Sequence, residues 1–292
     1  MARYPDLICL GAQKAATTWL DGRLRRDPGV FLPPVKELHY FSSLYNGDAR
    51  NYGPAHRKAQ SRSVIDWIDG LDAPAPDQLS RRAQARHIAE PQVDDDWYSQ
   101  VFSPARPDQL CAEICPSYLN MPDEAVDHVL RLNPDVRLLV IVGDPVDRTW
   151  SHIRMHMSRG TESRDTGRFL TGEASLAGYL FYTDYAASLP RWQSKAAPDR
   201  LLLILHDRVE SDPQAALDEI YEFVGLPVPE EDQKLHGKVH VGEAIDIPPA
   251  LRARLLEDLA PQYDFLRREF PDAVEGWLAR HRDALGGPPD TG

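Results

Sequence analysis

Asp6-Leu7-Ile8-Cys9-Leu10-Gly11-Ala12-Gln13-Lys14-Ala15-Ala16-Thr17-Thr18-Trp19-Leu20 decides how this 292-residue chain is read. Its first residues form a short apolar run that ends at Gly11, the pattern of a buried parallel strand meeting a turn. Thr17 onward reads as a helix to about Arg26, broken near Asp27-Pro28-Gly29. A loop joining a strand to a helix turns free backbone N–H groups and the positive end of the helix dipole toward one spot. Lys14 adds a mobile charge, Thr17 and Thr18 add hydroxyl donors, and the small Ala15 and Ala16 let the backbone come close to an anion. The stretch predicts a cradle for phosphate or sulfate. It departs from the nucleoside-triphosphate loop, where lysine immediately precedes the Ser/Thr that holds magnesium. Here Lys14 stands three residues before Thr17, which disfavours a metal-bridged triphosphate; a plain strand–helix turn with an exposed lysine is the alternative.

Outward from this stretch, Val30-Phe31-Leu32 reads as a second short strand stopped by Pro33-Pro34. Residues 46–94 are rich in Asp, Arg, Ala and Pro, with helices expected near Ser63–Ile68 and Gln78–Ile88, and read as a surface insertion or cap. Pro122–Leu132 is an amphipathic helix, and Val136–Val142 is the strongest strand. Asp144 then suits an N-cap and Pro145 a first helical residue, with the helix running to about Met157. Gly178–Gln193 reads as one helix and Leu201–Leu205 as a buried strand. Pro213–Val224 is a helix closed by Gly225, and Pro249–Phe265 and Ala273–Ala284 are two more before a loose tail at 286–292. This alternation predicts an α/β fold: a single P-loop-like domain over residues 1–292, with a central parallel sheet and helices on both faces. Ligands bind such sheets at the carboxyl ends of strands, here after Leu10, Val142 and Leu205.

Bulk properties narrow the function. A net charge of −12 argues against a general nucleic-acid binder and, more mildly, against a highly anionic polymer as substrate. The apolar run Leu138–Val142 is far too short to span a bilayer. Asp6 beside Leu7–Leu10, with no small-residue cleavage site after it, does not read as a signal peptide, so the expected location is the cytosol. Cys9, Cys111 and Cys115 form no even disulfide framework and fit a reducing compartment. His152 and His156 have zinc-compatible spacing but lack the metalloprotease glutamate, and no metal site is expected. Tyr179, Tyr182 and Tyr185, in step with Leu189 and Trp192, read as a core or pocket stripe.

Gly-Ala-Gln-Lys-Ala-Ala-Thr-Thr-Trp-Leu at 11–20 resembles the 5′-phosphosulfate loop of the sulfotransferases that use 3′-phosphoadenosine 5′-phosphosulfate. The likeness continues in order. Lys36-Glu37-Leu38-His39-Tyr40-Phe41 looks like the segment carrying the catalytic carboxylate in the heparan-sulfate-type branch and its bacterial relatives. Asp96-Trp97-Tyr98 and Glu113-Ile114-Cys115-Pro116-Ser117-Tyr118 match its middle section. Gly143-Asp144-Pro145-Val146-Asp147-Arg148-Thr149-Trp150-Ser151-His152 falls on the 3′-phosphate segment, and His206-Asp207 with the helix to Gly225-Leu226-Pro227 resembles the later strand–helix unit. The resemblance implies sulfuryl transfer to a hydroxyl or amine of a small-molecule acceptor. Lys14 would neutralise the bridging oxygen, and Ala15, Ala16, Thr17, Thr18 and Trp19 would hold the donor's phosphate. Glu37 would serve as general base. His39, on the same side if this segment is a strand, would orient the acceptor or share the base role.

The pattern departs at Gly143, where the family has an arginine that grips the 3′-phosphate together with Ser151. A planar guanidinium meets phosphate bidentately, and glycine offers only an amide. Three accounts stand: Arg148, Arg154 or Lys238 holds that phosphate instead; the donor lacks it; or efficient transfer has been lost. A magnesium-dependent phosphotransferase and a non-catalytic nucleotide-binding protein are the rival functions.

Overall fold

The computed structural model describes residues 2–47, 52–228 and 245–286. Strands β1 (Leu7–Gly11), β2 (Val30–Phe31), β3 (Leu110–Ile114), β4 (Arg137–Val142) and β5 (Leu201–Leu205) form one sheet in the order β2-β3-β1-β4-β5. Every pairing is parallel. All of β1 and β3, and β4 beyond Arg137, are buried. Burial of successive residues means that both faces are covered, which is why these strands read as continuous apolar runs. At the sheet's edge, β5 buries only Ile204 fully, a correction to the buried strand expected there. The sequence reading missed β3, because Glu113 interrupts its apolar run.

Chain order creates a topological switch. From β1, helix α1 (Thr17–Leu24) leads toward β2 on one side, whereas β4 leads to β5 on the other. The carboxyl ends of β1 and β4 are therefore neighbours whose connections leave in opposite directions, the crevice in which open parallel sheets bind ligands. The register shifts after Cys9 so that Gly11 pairs with Val140, and the Ala12 N–H donates to the Ile141 carbonyl at 2.9 Å. The loop after β1 is thus tied to the end of β4.

Helices α2 (Tyr40–Tyr45), α3 (Gly53–Asp69), α4 (Pro76–Ile88) and α5 (Asp95–Phe102) lie between β2 and β3. The helix expected near Ser63 begins ten residues earlier, and its start is not all surface: Arg57 is 1% exposed. After α6 (Asp123–Leu132) and β4 comes α7 (Pro145–Ser158), capped by Asp144 as the sequence predicts. Beyond α8 (Gly167–Thr171), the single helix expected over Gly178–Gln193 is two, α9 (Ala177–Phe181) and α10 (Tyr185–Gln193), because Asp184 caps the second by accepting from the Ala187 N–H. Helices α11 (His206–Ser211) and α12 (Pro213–Val224) follow β5, and Gly225, at φ 72°, closes α12. The expected Pro249–Phe265 helix is also two, α13 (Pro249–Asp258) and α14 (Ala260–Glu269), since Pro261 cannot continue the hydrogen-bond ladder. The last is α15 (Pro271–Ala284). Among the described residues no helix is long and apolar enough to cross a membrane.

Candidate functional site

Helix α1 starts with no side-chain cap and no acidic residue in its first turn. Its leading N–H groups have no intrahelical partners and remain available to a ligand. Lys14 (φ 70°) and Ala16 (φ 53°) are both left-handed. Interleaved left-handed residues fold successive amides into a concave anion nest. Burial lowers the pKa of the Lys14 ammonium, and the charges of Arg159, Arg154, Lys36 and Arg148 lower it further. Four further cations therefore bear electrostatically on Lys14 in a chain of net charge −12, a local field that suits an anion.

The Lys36–His39 segment is not a strand. Glu37 (φ 61°) and His39 (φ 53°) are left-handed on either side of buried Leu38. The strand expectation fails, yet the two side chains still converge: His39 Nε2 lies 3.5 Å from Glu37 Oε2. Lys36, to which sequence reading assigned no role, donates from Nζ to Thr18 Oγ1 at 3.1 Å and lies 3.4 Å from Glu37. It therefore bridges the anion loop and the candidate base. Its position directly before Glu37 was the available signal. Burial alone would raise the Glu37 carboxyl, but the His39 imidazole and the Lys36 ammonium outweigh it and hold the group at about 2. Burial lowers the pKa of His39, against the pull of Glu37. His39 Nδ1 lies 2.9 Å from Ser117 Oγ and 3.1 Å from Ser42 Oγ, and its ring packs edge-on against Tyr52 and His56. The 52–57 segment thus supplies walls of the site, which its polar composition concealed.

Across the crevice, α7 presents Arg148, 2% exposed and with no carboxylate partner among the described residues. Its Nη2 donates to His152 Nδ1 and to the Tyr179 carbonyl, both at 3.2 Å. Its Nε and Nη1 have no hydrogen-bond partner among the described residues. Burial pushes the guanidinium down to about 10, and burial together with Arg148 pushes His152 to about 2. The His152 Nδ1 lone pair is thus taken up by the guanidinium. At Gly143 a Cβ would meet only His206 Cβ, Ala15 Cβ and Arg148 Cβ, at 3.7–4.0 Å, so the place of the missing side chain is flanked by the anion loop and Arg148. Ser151 is half-buried on the same helix; Lys238 lies outside the described residues.

Asp144, which caps α7, also accepts from the Tyr263 hydroxyl at 2.7 Å and lies 3.0 Å from His281 Nε2. Helices α14 and α15 thereby clasp the start of the donor-side helix. Two groups of described residues have metal-ligand chemistry at close range, Glu37–His39–His56 and Asp144–Asp147–His281. In the first, Glu37 and His39 engage each other, Lys36 approaches Glu37 and His56 meets the Lys36 carbonyl; in the second, Asp144 engages His281 and Tyr263 while Asp147 lies 3.8 Å from Arg280. Tyr185, Leu189 and Trp192 are fully buried, and Tyr179 and Tyr182 line the His152 side, as a core or pocket stripe would.

An anion nest at the switch point of an all-parallel sheet, faced by a carboxylate–imidazole pair, defines a P-loop-like α/β protein built for group transfer. The family model described as Sulfotransferase family matches residues 5–230, and the chain belongs to that family. A human relative, heparan sulfate glucosamine 3-O-sulfotransferase 3B1, is 27% identical over 137 residues, 44% of this chain and 35% of that protein. The chain thus spans about a third of that relative's length. Among solved structures, a sulfotransferase from Alicyclobacillus acidocaldarius superposes with a TM-score of 0.66 at 21% identity, covering 95% of this chain and all of that one. A mouse sulfotransferase complexed with PAP superposes with a TM-score of 0.50 at 14% identity, covering 95% and 89% of the two chains. At these identities the likeness is one of fold.

Proposed function

We propose that the protein transfers a sulfuryl group from 3′-phosphoadenosine 5′-phosphosulfate to a hydroxyl or amine of a small-molecule acceptor. The observation that carries this reading is Lys36, which joins the Thr18 end of the anion nest to Glu37 within 3.4 Å. In-line transfer needs donor and base at such close quarters. The acceptor oxygen or nitrogen forms a bond to sulfur while the bond from sulfur to the bridging phosphate oxygen breaks. Glu37, ionised, takes the acceptor's proton, and His39 orients that acceptor. Lys14 neutralises charge growing on the departing oxygen, while the loop amides with Thr17 and Thr18 hold the phosphate. The PAP complex of the structurally similar mouse protein supports an adenosine 3′,5′-bisphosphate-type ligand. The unpaired faces of Arg148 fit a 3′-phosphate, with Ser151 beside it on α7. The names of the relatives point to sulfation of a glycan, which agrees with a hydroxyl or amine acceptor and leaves its small-molecule nature as part of the proposal.

A thermal-shift panel with adenosine 3′,5′-bisphosphate, AMP, adenosine 5′-phosphosulfate and Mg-ATP tests the donor. The bisphosphate should stabilise the protein most. An equal response to ligands lacking the 3′-phosphate would sink that part of the reading, because Gly143 would then mark a donor without it. Preference for Mg-ATP would indicate a phosphotransferase.

A further inference from the structure

The turn that carries Glu37 and His39 is a conformational liability. Left-handed backbone at non-glycine residues persists only where the surroundings over-determine it. Here the chain passes through that region at 37 and again at 39. Histidine enters this region more readily than most residues, but glutamate does not, so the restraint on the turn comes from elsewhere.

That restraint converges on one side chain that the proposed chemistry does not use. Glu113, in β3, is 1% exposed. Its Oε1 accepts from the Tyr118 hydroxyl at 2.9 Å, and its Oε2 accepts from the Tyr98 hydroxyl. The Tyr118 oxygen in turn accepts from the backbone N–H of Tyr40 at 2.8 Å, the residue immediately after His39. The Leu38 amide bears on the same carboxylate. On the other side of that residue, the Leu38 carbonyl accepts from Arg57 Nη1 at 3.0 Å, with the guanidinium 5.2 Å from the centre of the Trp97 ring. Leu38 and Tyr40 are thus held on both sides of His39.

We propose that Glu113 is a positioning residue for the candidate base, fixing the Glu37–Leu38–His39 turn through the Tyr118 hydroxyl. The proposal rests on Glu37 and His39 being the acceptor-side chemistry. It explains a carboxylate kept in the middle of a buried strand, where an apolar residue would avoid the desolvation that pushes this group up to about 7. A glutamine at 113 keeps the size, but its amide nitrogen cannot accept the second tyrosine hydroxyl.

The test uses the full chain labelled with 15N-histidine, with the His39 signals identified by their loss in His39→Gln. In Glu113→Gln and in Tyr118→Phe, which removes only the hydroxyl link, the His39 ring-nitrogen shifts should move while those of His152 and His281 stay in place. Turnover measured on 3′-phosphoadenosine 5′-phosphosulfate should fall about ten- to a hundred-fold in kcat at unchanged donor KM, as a misplaced base requires. Unmoved His39 signals in both variants would overturn the proposal. So would general unfolding of both, because Glu113 would then serve the fold at large and not the turn. Full turnover by Glu37→Gln, with the His39 shifts still responding to Glu113→Gln, would remove the base reading and leave the positioning geometry standing.

Discussion

The two walls of the switch-point crevice are built on opposite electrostatic plans. On the acceptor wall Lys36, Glu37 and His39 satisfy one another, and the carboxylate is ionised far below neutrality. On the candidate donor wall Arg148 is buried with no carboxylate partner among the described residues, burial and Arg148 lower the pKa of His152 beside it, and Lys14 adds to the same positive field. A buried cation left unpaired is costly, and that cost is relieved only when an anion arrives. The contrast says which wall is complete in itself and which is completed by ligand.

The largest effect that would break this contrast is loss of the base. Glu37→Gln is expected to lower kcat by about 10²–10⁴-fold while leaving binding of adenosine 3′,5′-bisphosphate unchanged, read by turnover and by calorimetry. Because the carboxyl is held at about 2, the wild-type pH–rate profile should show no acidic limb from this group near neutrality. The sign for stability follows. A depressed carboxyl stabilises the fold above its usual 4.5 and loses that contribution as pH falls toward 2, so acid titration of Glu37→Gln should be flatter in that window.

Arg148→Met is next, and its two effects should have opposite signs. Removing a buried unpaired charge while keeping an apolar chain is expected to stabilise the unliganded protein by about 1–4 kcal/mol. The same change should weaken the bisphosphate about ten- to a hundred-fold. Melting curves with and without ligand check both, and destabilisation of the free protein would refute the picture of an uncompensated donor wall. Gly143→Arg sharpens the contrast further, since a Cβ there meets nothing closer than 3.7 Å. It should tighten bisphosphate binding about tenfold through a second fork. Unchanged affinity would show that Arg148 already supplies the grip. The smallest effect is Ala16→Gly, which relieves left-handed backbone and should stabilise by about 1 kcal/mol, or roughly 2–4 °C in Tm.

How legible the site was depended on where its parts lie. The strand–loop–helix unit around Lys14, Thr17 and Thr18 was readable because its parts are contiguous, and Asp144-Pro145 because capping is local. Glu37 and His39 came from family resemblance, and the strand assumed for them was wrong because long-range bonds to Tyr40 and Leu38 override local preference. Glu113 hid β3 by placing a carboxylate in an apolar run, which the Tyr98 and Tyr118 hydroxyls and the Leu38 amide make tolerable. Tyr52, His56 and Arg57 sit in a polar stretch whose inward turn depends on packing that no local pattern encodes. His281 clasps Asp144 from beyond residue 230, where the family match ends.

The central place of β1 has a consequence for how the chain acquires its site. Its partner strands lie about a hundred residues or more downstream, with Leu7 beside Ala112 and Arg137. A nascent chain grows at about 5–20 residues per second, so the anion loop is made on the order of ten seconds before the strand that completes its crevice. Until β3 emerges, Leu7–Leu10 is an apolar segment with both edges open, and one edge stays open until β4 follows. The segment that leads into the candidate donor loop is thus also the one most in need of protection during synthesis, and slow formation of its distant pairings should set the pace of folding.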